Sequence, residues 1–287
     1  MSQPARSRAQ VLTYLILLFL FSSCFYTLIL RAGGLDKGGG VYVLGLMWCP
    51  GLAGMLTMRL NGRKLSEMGW RWGGAKYPFW SWLIPILYAS IAYAIVWIMH
   101  FGAFGDPDYL AAVAKRSHLS GPHWFSLLLG FLLIGVYGMI GSMSSALGEE
   151  IGWRGFLVPE LSRTTSFTVT ALISGIVWAV WHYPILIYGG YNGGTPTWYS
   201  LTCFTVMVIS ISFVFAWMRL KSGSLWTGAI LHASHNLYIQ AIFTPITHDT
   251  GKTKWYVDEF GCVVPLVAVV FAVYFWSRRR ELPANQE

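Results

Sequence analysis

Gly148-Glu149-Glu150-Ile151-Gly152-Trp153-Arg154-Gly155 sets two adjacent carboxylates and an arginine beside long apolar runs. Only 11% of the 287 residues are charged. Ionisable groups near membrane depth are costly and generally face a polar cavity. In a helix, Glu150 and Arg154 stand four residues apart and pair on one face. Glu149 lies about 100° round the helix from Glu150 and points elsewhere. One carboxylate is then neutralised and positioned, and the other is left for chemistry. A plainer reading also fits the motif, a charged cap at the cytoplasmic edge of a membrane span.

Outward from the motif, the chain reads as an all-α membrane protein. It is 55% hydrophobic, against roughly 45–50% apolar and about 25% charged residues in soluble domains. Eight segments approach the ~20 apolar residues that a span needs: 11–30, 40–60, 79–101, 124–147, 167–187, 198–218, 224–244 and 260–277. The segment 11–30 lacks a small-residue cleavage site and reads as a retained span. One set of loops carries 14 of the 20 Lys and Arg and the other carries 6, which puts both termini in the cytoplasm and the motif at the cytoplasmic end of span four. The net charge of +8 is therefore a topology signal, and nucleic acid is not an expected partner. The expectation is one integral-membrane domain over 1–287 in a bacterial plasma membrane. The loops are short. The basic, aromatic loop 61–78 reads as a topology anchor, with contact to an anionic leaflet as the alternative, and the glycine-rich loop 189–197 as a flexible outer turn. Cys24, Cys49, Cys203 and Cys262 show no CxxC spacing and read as buried small hydrophobes.

Position separates the seven histidines. His100, His118, His123 and His248 fall at span ends or in outer loops, whereas His182, His232 and His235 lie within spans five and seven. A histidine inside a span is either functional or a hydrogen-bonding link between helices. His232 and Asn236 share a helix face and offer two donors in one direction, as an oxyanion requires. His235 points partly away from them. His182 stands in Trp178-Ala-Val-Trp-His-Tyr-Pro184, where the aromatics fix its ring and Pro184 bends or ends the helix just beyond. Two chemistries fit this set. Glu149 could act as general base on a water with His182 assisting, while His232 and Asn236 hold the oxyanion. Alternatively, Glu149, His182 and His232 could hold a zinc ion that activates the water. There is no His-Glu-x-x-His, Gly-x-Ser-x-Gly or P-loop.

Glu149-Glu150-x-x-x-Arg154, Trp178-x-x-x-His182 and His232-x-x-x-Asn236 together resemble the three motifs of the CAAX prenyl endopeptidases. These belong to the wider CAAX protease and bacteriocin-processing (CPBP, or Abi) family. The resemblance covers about residues 130–245. It implies an eight-span helical bundle with a polar cavity facing the cytoplasm. It also implies an endopeptidase in which Glu149 activates water, His182 assists, His232 and Asn236 form the oxyanion site, and Glu150 and Arg154 give support. The implied partners are a peptide or protein substrate, with or without a lipid modification, and membrane lipids. Zinc stays open as a cofactor. Trp178 departs from the Phe usual in the prenyl proteases, which puts true CAAX processing in question. The competing functions are a non-catalytic member acting in bacteriocin immunity or partner binding, and a proton-coupled transporter. The absence of an internal repeat and the confinement of polar residues to spans four, five and seven argue against the transporter. One conflict of depth remains. Counted from the cytoplasmic side, His182 lies about 22 Å deep and His232 about 12 Å, while Glu149 is shallower than either. Either the motif dips into the bilayer or span five starts outside it.

Overall fold

The computed structural model describes residues 3–116 and 123–283, so His118 lies outside the described residues. In chain order the helices are α1 (Gln3–Arg31), α2 (Val43–Leu60), α3 (Lys76–Ile98), α4 (Pro107–Arg116), α5 (His123–Glu150), α6 (Val158–Ser162), α7 (Phe167–Tyr188), α8 (Thr197–Ser222), α9 (Trp226–His235), α10 (Thr244–Ile246) and α11 (Val263–Ser277). Two π-helical turns, Ile151–Leu157 and Asn236–Phe243, join α5 to α6 and α9 to α10 without a break in the helical path. A two-residue ribbon pairs Ala103 with His248 and Phe104 with Thr247. The protein is thus an all-α membrane bundle. Among the described residues, six helical stretches are long and apolar enough to cross a bilayer, and one of them runs unbroken over Trp124–Ser162. The other two expected spans are the joined segment Trp226–Ile246 and the shorter α11.

α8 forms the axis, with 67% of its apolar window buried. α7 and α11 flank it, and α9 passes close to it near Phe215. α5 is held by α2 through an approach that only glycine permits. A Cβ on Gly152 would lie 2.4 Å from the Pro50 backbone, and one on Gly148 would lie 2.8 Å from the Met47 carbonyl oxygen. Small residues four apart let apolar helices touch backbone to backbone where lipid provides no hydrophobic drive. This contact fixes the height and rotation of the two glutamates between Gly148 and Gly152.

The sequence placed the end of span four at 147, but the helix continues through the motif to Ser162. Glu149 is therefore no cap at a span edge. It lies level with Trp178, near the middle of α7, which bonds to it. The conflict of depth is resolved by the motif sitting inside a continuous helix. Pro184 does not end α7, which runs on to Tyr188 and stops at Gly189. Cys24 is exposed on α1, against the expectation that all four cysteines are buried, because its position faces away from the bundle.

One end of the bundle gathers both chain ends and the 61–75 loop. There Trp72 stacks on Trp226 with ring centroids 4.7 Å apart, and Arg63 pairs with Glu160 at 2.7 Å. That loop is folded onto the helices rather than hanging free. The opposite end gathers loops 32–42, 189–196 and 247–262. Loop 189–196 is more than an outer turn: Gly190, Gly193 and Gly194 adopt positive φ, and Tyr191 is brought into the wall of the central cavity.

Candidate active site

All the residues singled out in spans four, five and seven surround one cavity of about 470 Å³, except Glu150 and Arg154, which lie behind its wall. α5 brings Glu149, α7 brings Trp178 and His182, and α9 with its π-turn brings His232, His235 and Asn236. The cavity also reaches Leu35, Tyr191 and Glu259, from the loops at the end opposite to the termini. Cytoplasmic termini and a cytoplasm-facing cavity thus pull against each other in this fold.

The adjacent glutamates are both buried, and they are bound differently. Glu150 Oε1 takes the Arg154 guanidinium at 2.8 Å, the i,i+4 pair expected from the spacing, and also the His232 Nδ1 at 3.0 Å. Arg154 is 1% exposed and lies between two aromatic faces, 4.5 Å from the Trp178 ring and 4.0 Å from Phe215. A buried charge of this kind is tolerable only when paired, and the rings add cation–π attraction. Arg219, expected to be only a topology charge, is buried and donates from Nε to the Arg154 carbonyl at 2.6 Å. Gly228 lets α9 approach, since a Cβ there would sit 2.5 Å from Glu150 Oε2.

Among the described residues, no cationic side chain is hydrogen-bonded to Glu149. Its Oε2 accepts from the Trp178 indole at 2.8 Å and the Trp153 indole at 3.1 Å. Two rigid donors on one oxygen fix the carboxylate plane, and Oε1 is left open to the cavity. Trp178 therefore does more than pack, the only role read for it from the sequence. His182 Nδ1 lies 3.0 Å from the Trp178 carbonyl. A carbonyl only accepts, so Nδ1 carries the proton and Nε2 presents a lone pair.

His232 needs a correction. It was expected to offer a free ring N–H to an oxyanion, but its Nδ1–H is committed to Glu150. A neutral ring then has only a lone pair at Nε2, and it donates into the cavity only as an imidazolium. Asn236, half-buried beside it in the cavity wall, has its amide free of hydrogen bonds to the described residues.

His235 diverges from His232, as the helix geometry indicated, but it is far from idle. Its Nδ1 meets the Tyr88 hydroxyl and its Nε2 meets Glu259 Oε1 at 2.7 Å. Glu259 also accepts from Tyr191 at 2.9 Å and Gln240 at 3.2 Å. Truncating His235 would leave two buried partners, Tyr88 and Glu259, without it. Glu259 and Tyr191 escaped the sequence reading. The available signal was Asp258-Glu259, a second adjacent acidic pair set among aromatics. Burial, reinforced by the Glu259 carboxylate, pushes Asp258 up to about 7. Burial also pushes Glu259 up, but its hydrogen bond from His235 prevails and holds it below the usual carboxylate range.

Among the described residues, no three His, Cys, Asp or Glu side chains converge as a metal-ligand set. Glu149, His182 and His232 share the cavity without forming one, and Nδ1 of both histidines is already occupied.

The cavity thus brings together an oriented carboxylate, a lone-pair imidazole and an open amide. Residues 124–238, which contain all three motifs, match the family of type II CAAX prenyl endopeptidases, Rce1-like. Over 137 residues the chain is 30% identical to CAAX prenyl protease 2 of Methanococcus maripaludis. That alignment spans 45% of this chain and 46% of the relative, so the chain covers about half of the curated protein's length. The family match centres on the segment that carries the three motifs, whose residues resemble the CAAX protease and bacteriocin-processing family.

Proposed function

We propose that the protein is an endopeptidase of the CAAX prenyl protease type, cleaving a peptide bond of a membrane-associated substrate. One observation carries the reading: Glu149 is clamped at Oε2 by two indoles while Oε1 opens to the cavity. A water at Oε1 gives its proton to Glu149 and attacks the scissile carbonyl carbon. His182 Nε2 accepts the second hydrogen bond of that water and orients it. The tetrahedral oxyanion lies against the Asn236 amide and the His232 imidazolium, whose Nδ1–H is held by Glu150. Glu149 then returns its proton to the leaving amine, so the carboxylate ends as it began. The apolar walls, among them Leu46, Met47, Ile185 and Met207, suit a substrate with a lipid-like group.

The test is Glu149→Gln in reconstituted membranes, with farnesylated and unmodified CAAX peptides as substrates. Gln retains the hydrogen bonds but takes no proton. Cleavage should fall by about 10⁴-fold, the upper end of general-base help, with the melting temperature unchanged. Near wild-type turnover would overturn the assignment.

A further inference from the structure

A second cavity, of about 550 Å³, lies on the membrane-facing side between α3, α8 and α11, away from the catalytic residues. Its floor is apolar and closed: Ile84, Trp217, Met218 and Phe275 are each no more than 5% exposed. Its rim lies at the end of the bundle that holds the termini and most of the basic loop residues, and carries Lys76, Lys221 and Arg278. These cations differ in their partners. Glu281 takes Arg278 in a two-point pair at 2.6 and 2.8 Å. Lys221 donates only to a backbone carbonyl, that of Glu281, and Lys76 stands 5.1 Å over the Tyr77 ring. Among the described residues, neither lysine has a carboxylate partner. The rim thus sets three cations against one carboxylate, Glu281, which also feels the Lys221 charge, and this leaves an excess of positive charge where an apolar groove reaches the membrane surface. Trp80 and Tyr274 line the same rim, as amphipathic rings do at headgroup level.

We propose that this groove binds one anionic phospholipid, its phosphate held by Lys76 and Lys221 and one acyl chain laid along Ile84, Leu87 and Val270. The sign of the charge selects the occupant. A basic peptide is repelled by the rim, and a free phosphate leaves the apolar walls uncovered. A zwitterionic lipid fills the walls but brings its own cation to a site that already has two.

The experiment uses the full chain, purified and delipidated in a neutral maltoside, with bound lipid counted by native mass spectrometry and stability followed by melting temperature. Dioleoylphosphatidylglycerol should be retained at one copy and raise the melting temperature, with dioleoylphosphatidylcholine at least tenfold weaker and inorganic phosphate without effect. Lys76→Gln with Lys221→Gln should weaken phosphatidylglycerol binding about tenfold or more, as expected for two cations near an anionic headgroup. Val270→Trp fills the groove from its exposed side and should abolish retention with both lysines intact. Equal binding of the two lipids, an unchanged preference in the double variant, or a full shift with phosphate alone would each overturn the proposal. If the double variant does not fold, the wild-type lipid comparison and Val270→Trp still decide it.

Discussion

Trp178→Phe separates two tasks that one indole performs. The ring supports the Arg154 guanidinium at 4.5 Å and packs edge-on against His232 at 5.3 Å, and its N–H holds Glu149 Oε2 at 2.8 Å. Phenylalanine keeps an aromatic face beneath Arg154 and deletes the N–H. A hydrogen bond to a charged group contributes about 1.5–3 kcal/mol. If that is spent wholly on holding the carboxylate for attack, kcat falls about 10- to 150-fold, at ~1.36 kcal/mol per decade. The Trp153 indole, at 3.1 Å on the same oxygen, limits the loss, so the lower part of that range is expected. KM should stay within about twofold, since no uniform substrate contact is removed. The assay is steady-state cleavage of a quenched fluorescent peptide in nanodiscs, with melting temperature measured in parallel. Trp153→Phe should repeat the effect, and the double variant should lose more than the sum of the two, because each donor covers for the other. An unchanged kcat in the double variant, with the fold intact, would refute the indole clamp.

Gly228→Ala puts a methyl 2.5 Å from Glu150 Oε2 and should cost about 1–3 kcal/mol of stability with a lower folded yield, read by thermal unfolding. Asp258, raised to about 7 by burial and by Glu259, adds stability that is complete below its ordinary value of 3.8 and is lost as pH rises through 7. Wild-type melting temperature should therefore fall between pH 6 and 8, and Asp258→Asn, which also tolerates the positive φ there, should flatten that fall. Chelator treatment should leave peptide cleavage intact; near-stoichiometric zinc that tracks with activity and disappears in His182→Ala would show the opposite. A cysteine at Gly194 should be labelled by an impermeant reagent from the same side that delivers substrate to the cavity, since Tyr191 of the same loop lines its wall.

The apolar segments were legible because a bilayer demands length and hydrophobicity, and both are written locally. The Glu150–Arg154 pair was legible for a similar reason, a fixed helical offset. The π-turns after Glu150 and from Asn236 were not, because hydrophobic spacing cannot distinguish an i+4 from an i+5 bond over a single turn. The partners of His235 were hidden by distance along the chain. Tyr88 is 147 residues away, and Glu259 lies 24 residues on, in the loop before α11. For His232 the sequence indicated the placement but not the contacts. Its position in the cavity followed from the motif, but the commitment of Nδ1 depends on how closely α9 approaches α5, which Gly228 sets.

Two neighbouring glutamates with the same chemistry end in different roles because a helix turns about 100° between them. Glu150 faces α9 and the aromatic cage of Arg154, where it meets a cation and an imidazole and is closed off from the cavity. Glu149 faces α7, where only neutral indole donors reach it and they reach only one oxygen. The π-turn that begins at Ile151 starts directly after this pair, while Arg154 within it still pairs with Glu150. A one-residue slip of this helix would bring Glu150 to the cavity position and turn Glu149 toward α2. The backbone contact of Gly148 and Gly152 with α2 opposes that shift, because any larger residue there would collide with Met47 or Pro50. The glycines of the motif are therefore as much a part of the site as its charges: they fix which glutamate is left free.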